Sequence, residues 1–321
     1  MAEVAYLLGA GASAECLPVV NKMAQDIEDL SIEINKLLNY EYGGSTDKNR
    51  EFVDEKLVQL TDICRNHYSI DTYAKKLYLT DSIGFKNLKI DLCFYFTARQ
   101  ILTNPDKRYD NMFASIIQSE GRLPKKLKIL SWNYDFQLEA SFQNFSRSKT
   151  LDECRSNLNM VSPKEYEELE YYYDRFSVVK LNGSARLRNI NDRYSFMVEN
   201  NLSNDAESIL NLISKYVVAR EDSNDHECEL KFAWERQHLS NLIKHATPML
   251  EKIKVLVVIG YSFPFFNREV DEKMFDQFRG LDKIIIQDKY PENIKEVMVE
   301  MFSNNFHSNN EPNIILKSIF T

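Results

Sequence analysis

Apolar positions open the chain as a short block, Val4-Ala5-Tyr6-Leu7-Leu8, which breaks into the small residues Gly9-Ala10-Gly11-Ala12-Ser13-Ala14. A continuous apolar run cut by glycines predicts a strand and a tight turn. Beyond the turn Met23, Ile27, Leu30, Ile34, Leu37 and Leu38 recur at helical spacing. The chain is therefore expected to leave the turn as an amphipathic helix that ends before Gly43-Gly44. Helical periodicity continues through residues 45–104, and no second strand is expected until about residue 126.

From there the pattern repeats. Lys125-Lys126-Leu127-Lys128-Ile129-Leu130-Ser131-Trp132 turns apolar and ends at Asn133-Tyr134-Asp135, before helical spacing resumes at Phe136-Gln137-Leu138. Residues 176–181 form the next strand and end at Asn182-Gly183-Ser184. Residues 190–250 return to polar, helix-rich sequence without a strong strand, and Phe232-Ala233-Trp234-Glu235 within them is read as helix-core packing. Lys254-Val255-Leu256-Val257-Val258-Ile259 is apolar without alternation, as a strand covered on both faces requires. It ends in Gly260-Tyr261-Ser262-Phe263-Pro264, and Asn267 is placed to cap the following helix. Ile284-Ile285-Ile286 ends at Gln287-Asp288, Pro291 starts another helix, and Ile314-Ile315-Leu316 supplies a last strand.

Strands that end in small or polar residues and lead into helices describe an α/β fold, a Rossmann-like doubly wound parallel sheet. The expected organisation is one domain over 1–321, with helical insertions at 31–125 and 190–250. A length of 321 residues with 44% hydrophobic content is ample for a buried core. No apolar run approaches a membrane span and the first strand begins by Val4, so neither a membrane segment nor a signal peptide is expected, and the location expected is the cytoplasm. A net charge of −8 argues against nonspecific nucleic-acid binding by the surface as a whole. Cys16, Cys64, Cys93, Cys154 and Cys228 are scattered with no close pair, so reduced thiols and no structural zinc are expected.

The chemistry sits at the strand tips, because ligands of open parallel sheets bind outside the carboxyl ends of the strands. Gly9 permits the turn, Gly11 leaves room for a phosphate to approach the backbone, and Ala14 is the small residue that lets helix and strand pack. The acidic partner usual about 20 residues beyond such a turn is missing. Asn133 and Asp135 would face the same space as Gly9 and Gly11, although a turn role for Asn133 and a helix cap for Asp135 account for them equally. Ser69-Ile70-Asp71-Thr72-Tyr73 opens with an N-cap, which by itself explains Asp71 in the first helical turn.

The order of the tips is Gly-Ala-Gly-Ala-Ser at 9–13, Trp-Asn-Tyr-Asp at 132–135, Lys-Leu-Asn-Gly-Ser at 180–184 and Gly-Tyr-Ser-Phe at 260–263. It resembles the sirtuin superfamily. More closely, it resembles the bacterial sirtuin-like proteins of anti-phage defence, which share a Ser-Ile-Asp-Thr-Tyr segment like 69–73 and an Asn-Arg-Glu-x-Asp helix start like 267–271. The resemblance runs from residue 6 to about 290 and implies a site for NAD+, with the diphosphate on Gly9, Ala10, Gly11 and Ser13. Asn133 and Asp135 would serve the nicotinamide ribose or the attacking water. Asp71, Gly183, Ser184, Gly260, Tyr261, Ser262 and Asp288 complete the implied nucleotide contacts, with Gly260, Ser262 and Asp288 on the adenosine half.

The implied reaction is hydrolysis of NAD+ to nicotinamide and ADP-ribose as a defence effector. The four-cysteine zinc module of the lysine-deacylating sirtuins is missing. The resemblance also implies a homo-oligomer and a separately encoded partner, such as a HerA-like ATPase, an Argonaute-type protein or another sensor. Asn182 departs from it, because that position normally carries the catalytic histidine. An amide exchanges hydrogen bonds but takes no proton near neutral pH. Three explanations stay open: a nucleotide-binding pseudoenzyme acting as a regulatory or scaffold subunit, slow hydrolysis supported by the Asn-Tyr-Asp tip, or an introduced histidine-to-asparagine change. None of His67, His226, His238, His245 and His307 lies at a tip where it could obviously substitute.

Overall fold

Seven parallel strands form the centre of the computed structural model, which describes residues 3–43, 47–190, 203–302 and 312–318. They are β1 (Glu3–Leu8), β2 (Leu127–Ser131), β3 (Met160–Val161), β4 (Ser177–Lys180), β7 (Ile253–Ile259), β8 (Lys283–Asp288) and β9 (Asn313–Ser318), in the spatial order β3-β4-β2-β1-β7-β8-β9. A separate antiparallel pair joins β5 (Leu187–Asn189) to β6 (His226–Cys228). Without the two-residue edge strand β3, the main strands taken in chain order lie as 3-2-1-4-5-6, the order of dinucleotide-binding sheets. The connection changes sides between β1 and β7, so the crevice of such a sheet falls at their carboxyl ends, Gly9 and Gly260. The expected α/β doubly wound fold is thus the observed one.

The helices are α1 (Met23–Tyr42), α2 (Lys48–Asn66), α3 (Ile70–Thr80), α4 (Ser82–Leu102), α5 (Lys107–Ile116), α6 (Gln137–Gln143), α7 (Leu151–Asn157), α8 (Ala206–Glu221), α9 (Arg236–Leu250), α10 (Arg268–Phe275) and α11 (Pro291–Phe302). One sheet face buries Leu7, Leu130, Val179, Leu256 and Ile284 against residues of α9, α10 and α11. The other buries Leu8, Ile129 and Val178 against Tyr109, Phe113, Leu138 and Phe142. A third core belongs to the helices themselves: Ile27, Leu30 and Ile34 of α1, Leu57 and Leu60 of α2, Phe94 of α4, and Ile209, Leu212 and Tyr216 of α8. The two sequence stretches read as separate helical insertions therefore share a core. Residues 191–202 of the second stretch lie outside the described residues.

Two local expectations are corrected, and the core packing expected of residues 232–235 comes from non-helical chain. The glycine turn does not lead directly into α1: a short 3-10 turn, Ala10–Ser13, follows it, and α1 begins only at Met23. Helical spacing marks where the apolar stripe starts, and the 3-10 turns before it carry no such stripe. Phe232, Ala233, Trp234 and Glu235 precede α9 in non-helical chain, and Phe232 and Trp234 join the helical core as rings stacked 5.1 Å apart. Asn267 stands before α10 but gives no side-chain cap, because its amide is bound to Tyr261 Oη at 3.1 Å. Among the described residues no helix is long and apolar enough to cross a membrane.

Candidate functional site

At the switch point the β1 and β7 tips lie against each other. The Gly11 amide donates to the Gly260 carbonyl at 2.9 Å, and the Gly9 amide to that of Ile259 at 3.0 Å. A Cβ on Gly11 would stand 2.6 Å from Gly260 Cα, and one on Gly9 2.6 Å from the Gly260 oxygen. The close approach that these glycines permit is between two loops of the chain, which corrects the reading of Gly11 as the gap left for a phosphate. Ala10 is exposed at the turn's tip. Ala14 is exposed as well, so the small residue that packs under the turn is the buried Ala12.

The β2 tip is hydrogen-bonded to this turn. Asn133 Nδ2 donates to the Gly9 carbonyl at 2.9 Å and to Ser13 Oγ at 3.2 Å, while Ser13 Oγ donates to Asp135 Oδ2 at 2.7 Å. Asp135 Oδ1 accepts the Gln137 amide at 3.1 Å, so the carboxylate holds the turn leading into α6, whose N-cap position is Phe136, as well as anchoring Ser13. Burial pushes the Asp135 carboxyl upward, and Lys180, Ser13 and the Gln137 amide oppose that shift. Lys180, itself buried, donates to the Asp135 carbonyl at 2.7 Å.

The β4 tip comes next. Asn182 is 6% exposed; its Nδ2 lies 3.2 Å from Tyr134 Oη and 3.4 Å from the Trp132 carbonyl, and its Oδ1 has no hydrogen-bond partner. The Asn182 carbonyl is held by the Lys231 amide at 2.8 Å. Gly183 adopts φ +68°, and a Cβ there would fall 2.1 Å from the Glu229 oxygen. Ser184 Oγ accepts from the buried Arg155, which is also paired with Glu139. Tyr134 is flanked by Phe96 and Phe232, with ring centroids 5.6 and 6.5 Å away.

Asp71 stands in the first turn of α3, which Ser69 caps by accepting the Thr72 amide. Its charge adds to burial in raising the Tyr134 phenol. Burial lifts the Asp71 carboxyl to about 6, against a hydrogen bond from its own amide.

The remaining predicted residues divide. Tyr261 is buried and stacked on Trp132 at 6.0 Å, with its hydroxyl donated to Asp271 Oδ2 at 2.6 Å; Trp132 Nε1 donates to Asp271 Oδ1 at 3.2 Å. That triad locks the β7 tip to the β2 tip from below. Ser262 is exposed, and Asp288, half-buried at the end of β8, accepts the Tyr290 amide at 2.9 Å. His67 lies on the Tyr73 ring, His226 on the Asp222 carbonyl, and His245 beside Tyr166. Burial and the charges of Lys231 and Lys164 lower His238. His307 lies outside the described residues.

Two features escaped the sequence. Tyr109, from α5, places its hydroxyl 3.0 Å from Ser13 Oγ, and Arg108 donates to the Gly11 carbonyl at 3.0 Å, setting a cation beside the turn. Asp106 caps α5 and pairs with Arg108; the Pro105-Asp106 helix start was a readable signal, but nothing in it told which loop the helix would face. Cys93 and Cys228, read as unrelated, have their sulfurs 2.7 Å apart. Among the described residues no group of three His, Cys, Asp or Glu is arranged to hold a metal ion.

No known family's profile matches the chain, and no curated protein matches it. The tips assemble hydrogen-bonding groups, with the Arg108–Asp106 ion pair beside the glycine turn. Such a set can hold a polar ligand and orient a water molecule.

Proposed function

We propose that the chain binds NAD+ across the β1 and β7 tips and hydrolyses its nicotinamide glycosidic bond. The observation that carries this reading is the convergence of the Gly9–Ser13 turn, Asn133, Asp135 and Asn182 at one edge of a sheet with dinucleotide-binding strand order. The unpartnered Asn182 oxygen suits a ribose hydroxyl or a water molecule as its donor. Cleavage releases neutral nicotinamide and passes through a cationic ribose, so fixed oxygen dipoles near the anomeric carbon lower the barrier. The order of the tip motifs supports NAD+ depletion in anti-phage defence, under control of a separately encoded partner or of homo-oligomer assembly.

A second reading is a nucleotide-binding subunit without turnover. Asn182 favours it, because an amide cannot take the proton that a histidine would.

Incubation of the full chain with NAD+, with Asn182→His beside it, separates the two. Nicotinamide release that rises on restoring the imidazole supports hydrolysis. Saturable NAD+ binding with no release from either protein leaves the binding subunit. No binding by either protein sinks both readings.

A further inference from the structure

Trp132 and Tyr261 each adjoin a group that the NAD+ reading needs. Trp132 precedes Asn133, its carbonyl lies 3.4 Å from Asn182 Nδ2, and its amide donates to the Leu8 carbonyl at 2.9 Å. Tyr261 follows Gly260 and lies against the glycine turn, where a Cβ on Gly9 would stand 2.7 Å from Tyr261 Cβ. Both side chains end on one carboxylate. Asp271, wholly buried on α10, accepts Trp132 Nε1 through Oδ1 at 3.2 Å and the Tyr261 hydroxyl through Oδ2 at 2.6 Å. Among the described residues no Lys, Arg or His pairs with it.

The valences around this carboxylate are all assigned. An indole N–H only donates, and Tyr261 Oη already accepts Asn267 Nδ2 at 3.1 Å, so its hydrogen is what it offers to Asp271. Asp271 must therefore accept at both oxygens, which a carboxylate does and an amide cannot. A carboxylate held by neutral donors alone is a weak source of stability, because burial strips its water and no cation offsets the loss. What the arrangement does supply is a fixed spacing between the β2 and β7 tips.

Resting on the NAD+ hydrolase reading, we propose that Asp271 is a positioning residue of this site: through Trp132 and Tyr261 it holds the two tips so that Asn133, Asn182 and the glycine turn converge on one ligand. It acts on the orientation of those groups and touches neither the ligand nor the reacting atoms. Misplacing reacting groups by about 1 Å costs on the order of 100-fold in rate.

Asp271→Asn keeps the shape of the side chain and removes one acceptor. With its oxygen toward Trp132 and its NH2 toward Tyr261 Oη, the tyrosine hydrogen is left without an acceptor. The test measures steady-state nicotinamide release by the full chain, Asp271→Asn, Tyr261→Phe and the double variant. The expected kcat of Asp271→Asn is lower by roughly 100-fold, with KM within about threefold of the parent's. The double variant should be no slower than the slower single variant, because both changes break the same bond. A kcat of Asp271→Asn close to the parent's, a change confined to KM, or losses that multiply in the double variant overturns the assignment and leaves hydrolysis standing. Should Asp271→Asn fail to fold, Tyr261→Phe, which keeps the ring on Trp132, decides alone: a lowered kcat supports the assignment and a parental one overturns it. NAD+ binding without release by the parent overturns hydrolysis and, with it, this assignment.

Discussion

Ser13 and Asp135, 122 positions apart in sequence, are joined by a buried hydrogen bond of 2.7 Å from the serine hydroxyl to the carboxylate. Ser13 Oγ also receives Asn133 Nδ2 at 3.2 Å and faces Tyr109 Oη at 3.0 Å. One hydroxyl hydrogen and two lone pairs are all that a serine has, so each valence is used and Tyr109 must be a donor. The turn after β1 is thus fixed to the tip of β2 through a single side chain.

Ser13→Ala is expected to lower stability by about 1–3 kcal/mol, because it leaves Asp135 Oδ2 buried without its donor. Denaturant unfolding monitored by tryptophan fluorescence reads the change. An unchanged midpoint would show that the network is not held in this form.

Gly260 tests the contact between the two loops. Its φ is +58°, and a Cβ there would meet Gly11 C at 2.4 Å and Ala12 N at 2.5 Å, both backbone atoms that cannot turn aside. Gly121 has φ +71° with nothing within 4 Å of the same position. Gly121→Ala should therefore cost only the left-handed penalty, about 1–2 kcal/mol, and Gly260→Ala clearly more. Equal losses in unfolding free energy would mean that conformation alone, without crowding, makes residue 260 a glycine.

Asp71 should carry a stability cost of its own. Its carboxyl rises from 3.8 to about 6 on folding, so the folded state holds the proton more tightly than the unfolded chain. The cost is absent below the unfolded value, grows as pH rises between the two, and is complete above about 6. Asp71→Asn removes the charge and should raise the melting temperature at neutral pH, by an amount equivalent to at most about 3 kcal/mol. The two proteins should converge in acid below about pH 4. A variant that melts lower at neutral pH would point to an ionic partner for this carboxylate.

The strands β1, β2, β4, β7 and β8 were legible from their apolar centres at 4–8, 129–130, 178–179, 255–259 and 284–286, which both covered sheet faces demand. Their polar ends were legible for the same reason: the pattern stops where the sheet stops. What stayed hidden depends on pairing across the fold. Tyr109 and Arg108 reach the glycine turn from a helix whose facing no local pattern states. Gly11 meets Gly260 from 249 positions away, so a phosphate-like glycine pattern arose from loop packing. The short spacing of Asn267 before α10 imitated a cap, while its side chain served the buried Tyr261 and Asp271 pair.

The same blindness to distance hid the thiol pair, which yields the last prediction. Cys93 lies wholly buried on α4 and Cys228 half-buried on β6, with their sulfurs 2.7 Å apart. Burial works against a Cys228 thiolate, but the hydrogen bond from Cys93 and the Lys89 charge outweigh it and bring its pKa down; burial and the bond to Cys228 push Cys93 up. Cys228 is therefore the nucleophile toward hydrogen peroxide. Its thiolate is oxidised to a sulfenic acid with release of hydroxide, and the Cys93 thiol displaces water from it to close a disulfide. Dilute peroxide should consume two of the five thiols, and peptide mapping should find 93 joined to 228. Closing a loop of this length should stabilise the fold by on the order of 4 kcal/mol, and Cys93→Ser should abolish both effects. Because the Lys231 amide, three residues beyond Cys228, holds the Asn182 carbonyl at 2.8 Å, the crosslink would also stiffen the β4 tip. Five thiols still titrating after peroxide, or a link mapped to another pair, would defeat the prediction.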